Sequence, residues 1–168
     1  MAIQGGREIT SAQQISNAII TNDKLVTPGT VLQTLQFESD SLTSSTTTTF
    51  VDTAITLTIT PSSTSNKILG IAVVGGIGVA SDTVALTRVY NSTSTTVVSD
   101  VVKYTPRSGA FIIDHGSHTF LDSPASTSAQ TYVVQIASDR TTVSYFNSRD
   151  GTSNPTSYSS IILMEIAA

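Results

Sequence analysis

TAITLTITPSSTSNKILGIAVVGGIGVA, residues 53–80, is the stretch whose reading decides the fold. Ile55, Leu57 and Ile59 alternate with threonines, the two-residue period of a strand with one buried face. Pro61 to Asn66 supplies the turn, because proline removes a ladder donor and Ser and Asn side chains compete for nearby backbone groups. From Ile68 to Ala80 the chain is apolar at successive positions, which predicts a central strand covered front and back in a two-layer β structure. A membrane span is excluded, since thirteen residues are too few and Gly70, Gly75, Gly76 and Gly78 interrupt the run.

Composition agrees with that centre. A chain of 168 residues makes one domain, or one domain with an arm, and can bury a sizeable core. Ser and Thr make up nearly a third of it, charged residues only 12% and hydrophobic residues 39%. Repeated alternating apolar runs argue against a disordered Ser/Thr linker, and threonine suits the solvated face of a pleated sheet. Net charge is −4 and the eight Lys and Arg are scattered, so no basic stripe tracks a phosphate backbone and nucleic acid is not an expected partner. The absence of cysteine rules out disulfides and thiolate metal sites. Residues 1–7 contain no apolar core of a signal peptide, so synthesis in a cytoplasm without general secretory export is expected.

Residues 1–28 differ from the rest and are read as an N-terminal arm, with the β domain over 29–168. Ser11-Ala12-Gln13-Gln14 fits a capping box, placing Ile15, Ala18 and Ile19 on one side of a short helix. So short a helix needs a partner surface: the chain's own sandwich, another copy, or a different protein. Ile9, Ile15, Ile19 and Leu25 are the arm's candidate assembly residues. Strands are predicted over 30–37, 54–60, 68–79, 84–91, 96–104, 110–114, 118–121, 131–137, 141–146 and 158–166. Short strands separated by Gly/Pro/Ser/Asn/Asp turns predict an all-β, antiparallel, jelly-roll-like β-sandwich. The last strand is apolar on both faces, so loss of the final ten residues is expected to unfold the domain.

TTTTFVDT at 46–53, TITPSSTSNKIL at 58–69, LTR at 86–88, FLDSPASTSAQTY at 120–132 and ILMEIAA at 162–168 follow one another along the chain. In that order they resemble a module found at the C-terminal ends of bacteriophage tail-fibre proteins. ISNAIITNDKL at 15–25 is similar to the segment that joins such a module to a fibre shaft. The resemblance spans residues 9–168 and implies a virion protein assembled in the bacterial cytoplasm, a homotrimer. Residues 1–28 would dock on another virion protein, and the sandwich would meet a host-surface glycan or protein. Little precedes the module here, so the expected forms are a short tail appendage or, as the alternative, a capsid decoration, cement or head-fibre protein. Apolar and small residues at Ala72, Val74, Ile77, Gly75 and Gly76 would either pack around a symmetry axis or fill the monomer's own core.

No catalytic, cofactor or metal residue is assigned. Asp114-His115-Gly116-Ser117-His118 is the one titratable cluster. In an extended chain His115 and His118 fall on opposite faces, and only a tight turn at Gly116-Ser117 would join them in a His/His/Asp site. An exposed hairpin tip is the preferred reading. Ser117 lacks the strand–turn–helix elbow of a nucleophile. Gly75-Gly76-Ile77-Gly78 is followed by neither Gly-Lys-Ser/Thr nor a helix, so it is no phosphate loop. Glycan recognition wants an aromatic platform beside polar groups. Two stretches have that makeup, giving Tyr104, Arg107, Tyr145, Asn147, Arg149 and Asp150 as candidate receptor-facing residues. Their plain alternative is a solvated connection with a tyrosine packed beneath it.

Overall fold

A computed structural model describes residues 27–79, 83–105, 112–148, 150–152 and 157–168. The arm residues Ile9, Ile15, Ile19 and Leu25, and the loop residues Arg107 and Arg149, lie outside the described residues. Eleven strands follow in order: β1 (Val31–Ser39), β2 (Thr43–Ser45), β3 (Val51–Ile59), β4 (Lys67–Val79), β5 (Ala85–Asn91) and β6 (Thr96–Val97), then β7 (Val102–Tyr104), β8 (Ile112–Asp122), β9 (Gln130–Ser138), β10 (Ser144–Phe146) and β11 (Ser159–Ile166). They form two antiparallel sheets packed as a sandwich.

The first sheet runs β1–β11–β4–β10–β2, with β8 on the other side of β4. Ser144 to Phe146 lie opposite Val79 to Ile77, and Ser160 to Ile166 lie opposite Val73 to Lys67. So β10 and β11 run in line along β4, and β2 continues the line of β1. Six strands thus occupy four lanes. The second sheet runs β3–β9–β5, with β6 and β7 both on the far edge of β5. The pairs β1/β11, β3/β9, β4/β8 and β5/β7 join early strands to late ones, as in a long hairpin folded on itself. This is the jelly-roll connection expected from the sequence.

Alternation decides which residues reach the core. Ile55 and Ile59 of β3, Ile68, Ala72 and Val74 of β4, Val134 and Ile136 of β9, and Ile161 and Leu163 of β11 are buried between the sheets. Each of the Val, Leu and Ile side chains contributes about 1.5–3 kcal/mol relative to remaining exposed. Phe120 and Tyr132 stack there with centroids 5.4 Å apart. The strand bulges on β3 between Asp52 and Thr56, where Thr53 Oγ1 donates to the Val134 carbonyl at 2.8 Å.

Three expectations are corrected, and one reading left open is decided. The predicted strand over 96–104 is two strands, because Ser99 Oγ accepts the Val89 N–H at 2.8 Å where a ladder carbonyl would otherwise sit. The predicted hairpin at Gly116-Ser117 is absent: 112–122 is one continuous strand. Gly116 sits in it because a Cβ there would run into the Tyr104 hydroxyl. Of the two readings open for Ala72, Val74 and Ile77, the chain's own core holds: all three are fully buried there and are not available to a symmetry axis. Finally, β4 is covered on both faces only over Gly76–Val79; earlier in the strand one face is open, and Val73 there is 46% exposed. The short strand β2 was not foreseen.

Candidate functional site

The two histidines of the titratable cluster part company, and the Asp114 side chain lies outside what is described. His115 is exposed on the outer side of β8, while His118 is 3% exposed and points between the sheets. His118 Nε2 lies 2.9 Å from Thr87 Oγ1, and Nδ1 lies 3.1 Å from Ser99 Oγ. Thr87 Oγ1 in turn donates to the Tyr104 hydroxyl at 3.2 Å. Burial pushes the imidazole's pKa below its ordinary value, against the opposing pull of the Asp100 backbone. A cleft of about 190 Å³ opens beside it, lined by Ser99, Asp100, Val102, Ser117, His118 and Thr119. Ser99 Oγ already accepts from Val89 N and donates to the Asp100 carbonyl, so the Ser–His contact fastens the β6–β7 connection to β8. Among the described residues no three His, Cys, Asp or Glu side chains converge on a point.

The candidate receptor-facing residues separate by burial. Tyr104 is 2% exposed, on β7, with its ring in the core; its expected surface position is corrected. Asn147 is fully buried with φ +60°, a conformation asparagine tolerates better than most residues. Its Nδ2 donates to the Ser39 carbonyl at 2.9 Å and its Oδ1 accepts from Ser159 Oγ at 2.5 Å. Asn147 therefore brackets β1, β10 and β11, and its expected exposure is also corrected. Tyr145 is half-buried against Gly151, a glycine at φ +82° where a Cβ would strike the tyrosine ring. Asp150 is exposed and accepts from Thr152 N at 3.1 Å. Of the four described candidates, Tyr145 and Asp150 reach the surface.

Two features escaped the sequence reading. One is Glu165, a carboxylate 1% exposed inside the apolar last strand. It accepts from Asn66 Nδ2 and Ser62 N at 2.6 Å, and from Ser62 Oγ and Gln33 Nε2 at 2.7 Å. Burial alone would raise its pKa, but the donors from Asn66, Gln33 and Ser62 outweigh burial and hold the carboxyl below its ordinary value. The lone acid in an otherwise apolar run was the signal available.

The other is the outer face of the β1–β11–β4–β8 sheet. Register places Met164, Leu69 and Leu121 in one row, Ile162 and Ile71 in the next, and Val73 in a third. Leu121 is 57% exposed and the others are half-buried or exposed. The opposite sheet mixes polar and apolar residues on its outer face. Asp52, Thr56, Thr58, Thr131 and Gln135 stand there with Leu86, Tyr90, Val133 and Ala137, and Arg88 donates from Nε to Gln135 Oε1 at 2.8 Å while its guanidinium stacks 3.9 Å from the Phe50 ring.

No family model and no curated protein matches the sequence. Among solved structures the chain is similar to the D431N mutant VP2 protein of infectious bursal disease virus, from derived T=1 particles. Identity is 9% over 82% of this chain and 37% of that chain, with a TM-score of 0.38. This chain spans little more than a third of that protein, and so distant a likeness carries no argument about function. Among the described residues no helix is long and apolar enough to cross a membrane.

Proposed function

We propose that this protein is a structural component of a tailed bacteriophage particle, working by assembly and surface binding without catalysis or cofactor. It is read as a short tail appendage, a homotrimer whose residues 1–28 dock on another virion protein and whose sandwich meets a glycan or protein of the host surface. The observation that carries this reading is the meeting of two segments on which the tail-fibre resemblance rests. Asn66 of the first and Glu165 of the second stand 99 residues apart in the chain and share one buried carboxylate. The marks of the module are thus requirements of a single rigid shape. That suits a part whose work is presentation. The polar clusters found inside, around His118 and around Glu165, join strands to one another.

Quantitative mass spectrometry of purified virions, against the major capsid protein, tests the assignment. A few to some tens of copies, in a multiple of three, is expected. Copies near stoichiometric with the shell would replace the tail appendage with a capsid decoration protein, and absence from the particle would overturn the reading.

A further inference from the structure

We propose that residues 96–101, which run from β6 to the start of β7, form an acid-released strap. It closes one side of the sandwich while the His118 imidazole is neutral, and it lifts from β8 when that ring is protonated, with the two sheets still packed. The inference goes beyond the reading above and has no dependence on where in a particle the protein sits.

The strap reaches from one sheet to the other. It lies along β5 of the second sheet, where Thr96 and Val97 pair with Asn91 and Tyr90. Val98 N then donates to the Val89 carbonyl at 3.1 Å, and Ser99 Oγ accepts the Val89 N–H at 2.8 Å. Its hydrogen bonds to the first sheet converge on one ring: Ser99 Oγ lies 3.1 Å from His118 Nδ1, and the Asp100 backbone bonds the same imidazole. His118 stands on β8, which among the described residues pairs only with β4 and is an edge of its sheet. The cleft beside His118 lies between the two, with Ser99, Asp100 and Val102 as one wall and Ser117, His118 and Thr119 as the other. The strap is therefore what keeps water from an imidazole only 3% exposed.

Little else holds the strap down. β6 is two residues long, Val97 and Val101 are 48% and 43% exposed, and Val98 is the strap residue packed partly against the core. The turn leading into it carries Thr95 at φ +57°, a strained backbone for a β-branched residue. Short, exposed segments with few apolar contacts open at lower free energy than the core they cover. Opening stops at Tyr104, which is buried and bonded to Thr87.

Charge sets the direction. The imidazole is faced by Thr87 from β5, by Tyr104 of β7 through Thr87, by Ser99 and Asp100 from the strap, and by Ala72 across the ladder on β4. Of these only Asp100 carries a charge, and it is exposed and bonds the ring through its backbone. Lys103 and Arg88 share the outer side of the second sheet with Leu86, His115 is exposed on the outer side of β8, and Asp122 is engaged by Tyr132 and Asn91. A neutral ring has one donor and one acceptor nitrogen, and the Thr87 and Ser99 hydroxyls can serve either. Both can still accept from the imidazolium, so protonation breaks no hydrogen bond. What it creates is a buried cation with no carboxylate paired to it, and lifting one wall of the cleft hydrates that charge. Burial holds the imidazole's pKa below its ordinary 6.5 in the closed form, so closure is favoured above that value and weakens as pH falls.

The test is native-state hydrogen exchange of the purified full chain, read residue by residue by NMR at pH 7.5 and pH 5 across sub-denaturing guanidinium, with intrinsic exchange rates divided out. The Val89 and Val98 amides are expected to exchange through an opening that depends little on denaturant, and their protection to fall roughly tenfold or more between the two pH values. The Ala72 amide of β4 should be better protected and show the steep denaturant dependence of global unfolding. In His118→Gln the pH dependence at Val89 and Val98 should vanish. Ser99→Ala, which keeps the ring and removes its hydroxyl partner, should lower Val98 protection several-fold at pH 7.5. If Val89 and Val98 share the denaturant dependence of Ala72 at both pH values, the strap opens only with the whole domain and the proposal is overturned, a result that needs no variant to fold. An undiminished pH dependence in His118→Gln, or native Val98 protection in Ser99→Ala, would overturn it as well.

Discussion

Glu165 and Asn66 lie 2.6 Å apart where both side chains are shut away from solvent, at 1% and 6% exposure. Asn66 closes the turn between β3 and β4, and Glu165 sits on β11, so the contact ties the first core hairpin to the last strand. Gln33 extends the tie to β1, donating from Nε2 to Glu165 Oε2 and lying 2.8 Å from the Thr60 carbonyl. A buried carboxylate is tolerated because its oxygens are met by donors.

Replacing that carboxylate by an amide should therefore be costly. In Glu165→Gln an NH₂ group must face at least one of the donors from Ser62, Asn66 and Gln33, leaving buried groups unpaired. Hydrogen bonds to charged groups contribute about 1.5–3 kcal/mol. The expected loss is about 2–3 kcal/mol, read as a fall in Tm of roughly 5–10 °C in a domain of this size. An unchanged Tm would show that the network is dispensable.

Acid should weaken the fold through the same residue. The folded-state pKa of Glu165 is depressed, so its contribution is present above the carboxylate's unfolded value and is lost as pH falls through the lower folded value. Denaturant midpoints measured downward from pH 5 should fall steeply in the native protein and less steeply in Glu165→Gln.

His118 acts in a higher window with the same sign. Its folded pKa is lowered from 6.5, so the unfolded chain takes up the proton first and acidification below about 6.5 favours unfolding. Stability should decline between pH 7 and pH 5, and His118→Gln should flatten that segment while leaving the Glu165 segment in place. Equal slopes in the two proteins would assign the decline to other groups.

Gly70 and Phe120 form a size-matched pair across β4 and β8. A Cβ on Gly70 would enter the Phe120 ring, itself stacked on Tyr132. Gly70→Ala should cost about 1–3 kcal/mol by overpacking, and Phe120→Leu in the same chain should recover part of it. A double-mutant cycle measures that coupling, and strict additivity would mean the ring does not constrain the glycine.

Removing residues 159–168 deletes all of β11, the lane between β1 and β4, and with it Ile161, Leu163 and Glu165. The shortened chain is expected to be insoluble or to lack a cooperative thermal transition. A soluble, folded truncation would show that β1 and β4 can close on each other.

Ile55, Leu57 and Ile59 against their threonines were enough to specify strands, since the two-residue alternation is set by backbone geometry. The turn at Pro61–Asn66 and the jelly-roll class were legible for the same reason, being built from local chemistry and spacing. The helix expected within the arm falls outside the described residues. Around Gly116, local chemistry misled: a glycine read as a turn signal marks instead a strand position where Tyr104, twelve residues earlier, needs the space. Asn147, read as a polar loop residue, is drawn inward by carbonyls more than a hundred residues away.

The sequence by itself determined that this chain is a Thr-rich antiparallel sandwich with β4 at its centre, because pleat alternation and turn chemistry are properties of neighbouring residues. Only the tertiary structure decided which apolar residues serve the core and which stand on the outer face. Ala72 and Val74 face the second sheet; Ile71 and Val73, one step along the same strand, face outward. Sequence shows that both sets are apolar. Which of the two faces a second layer covers depends on strands brought together from distant parts of the chain.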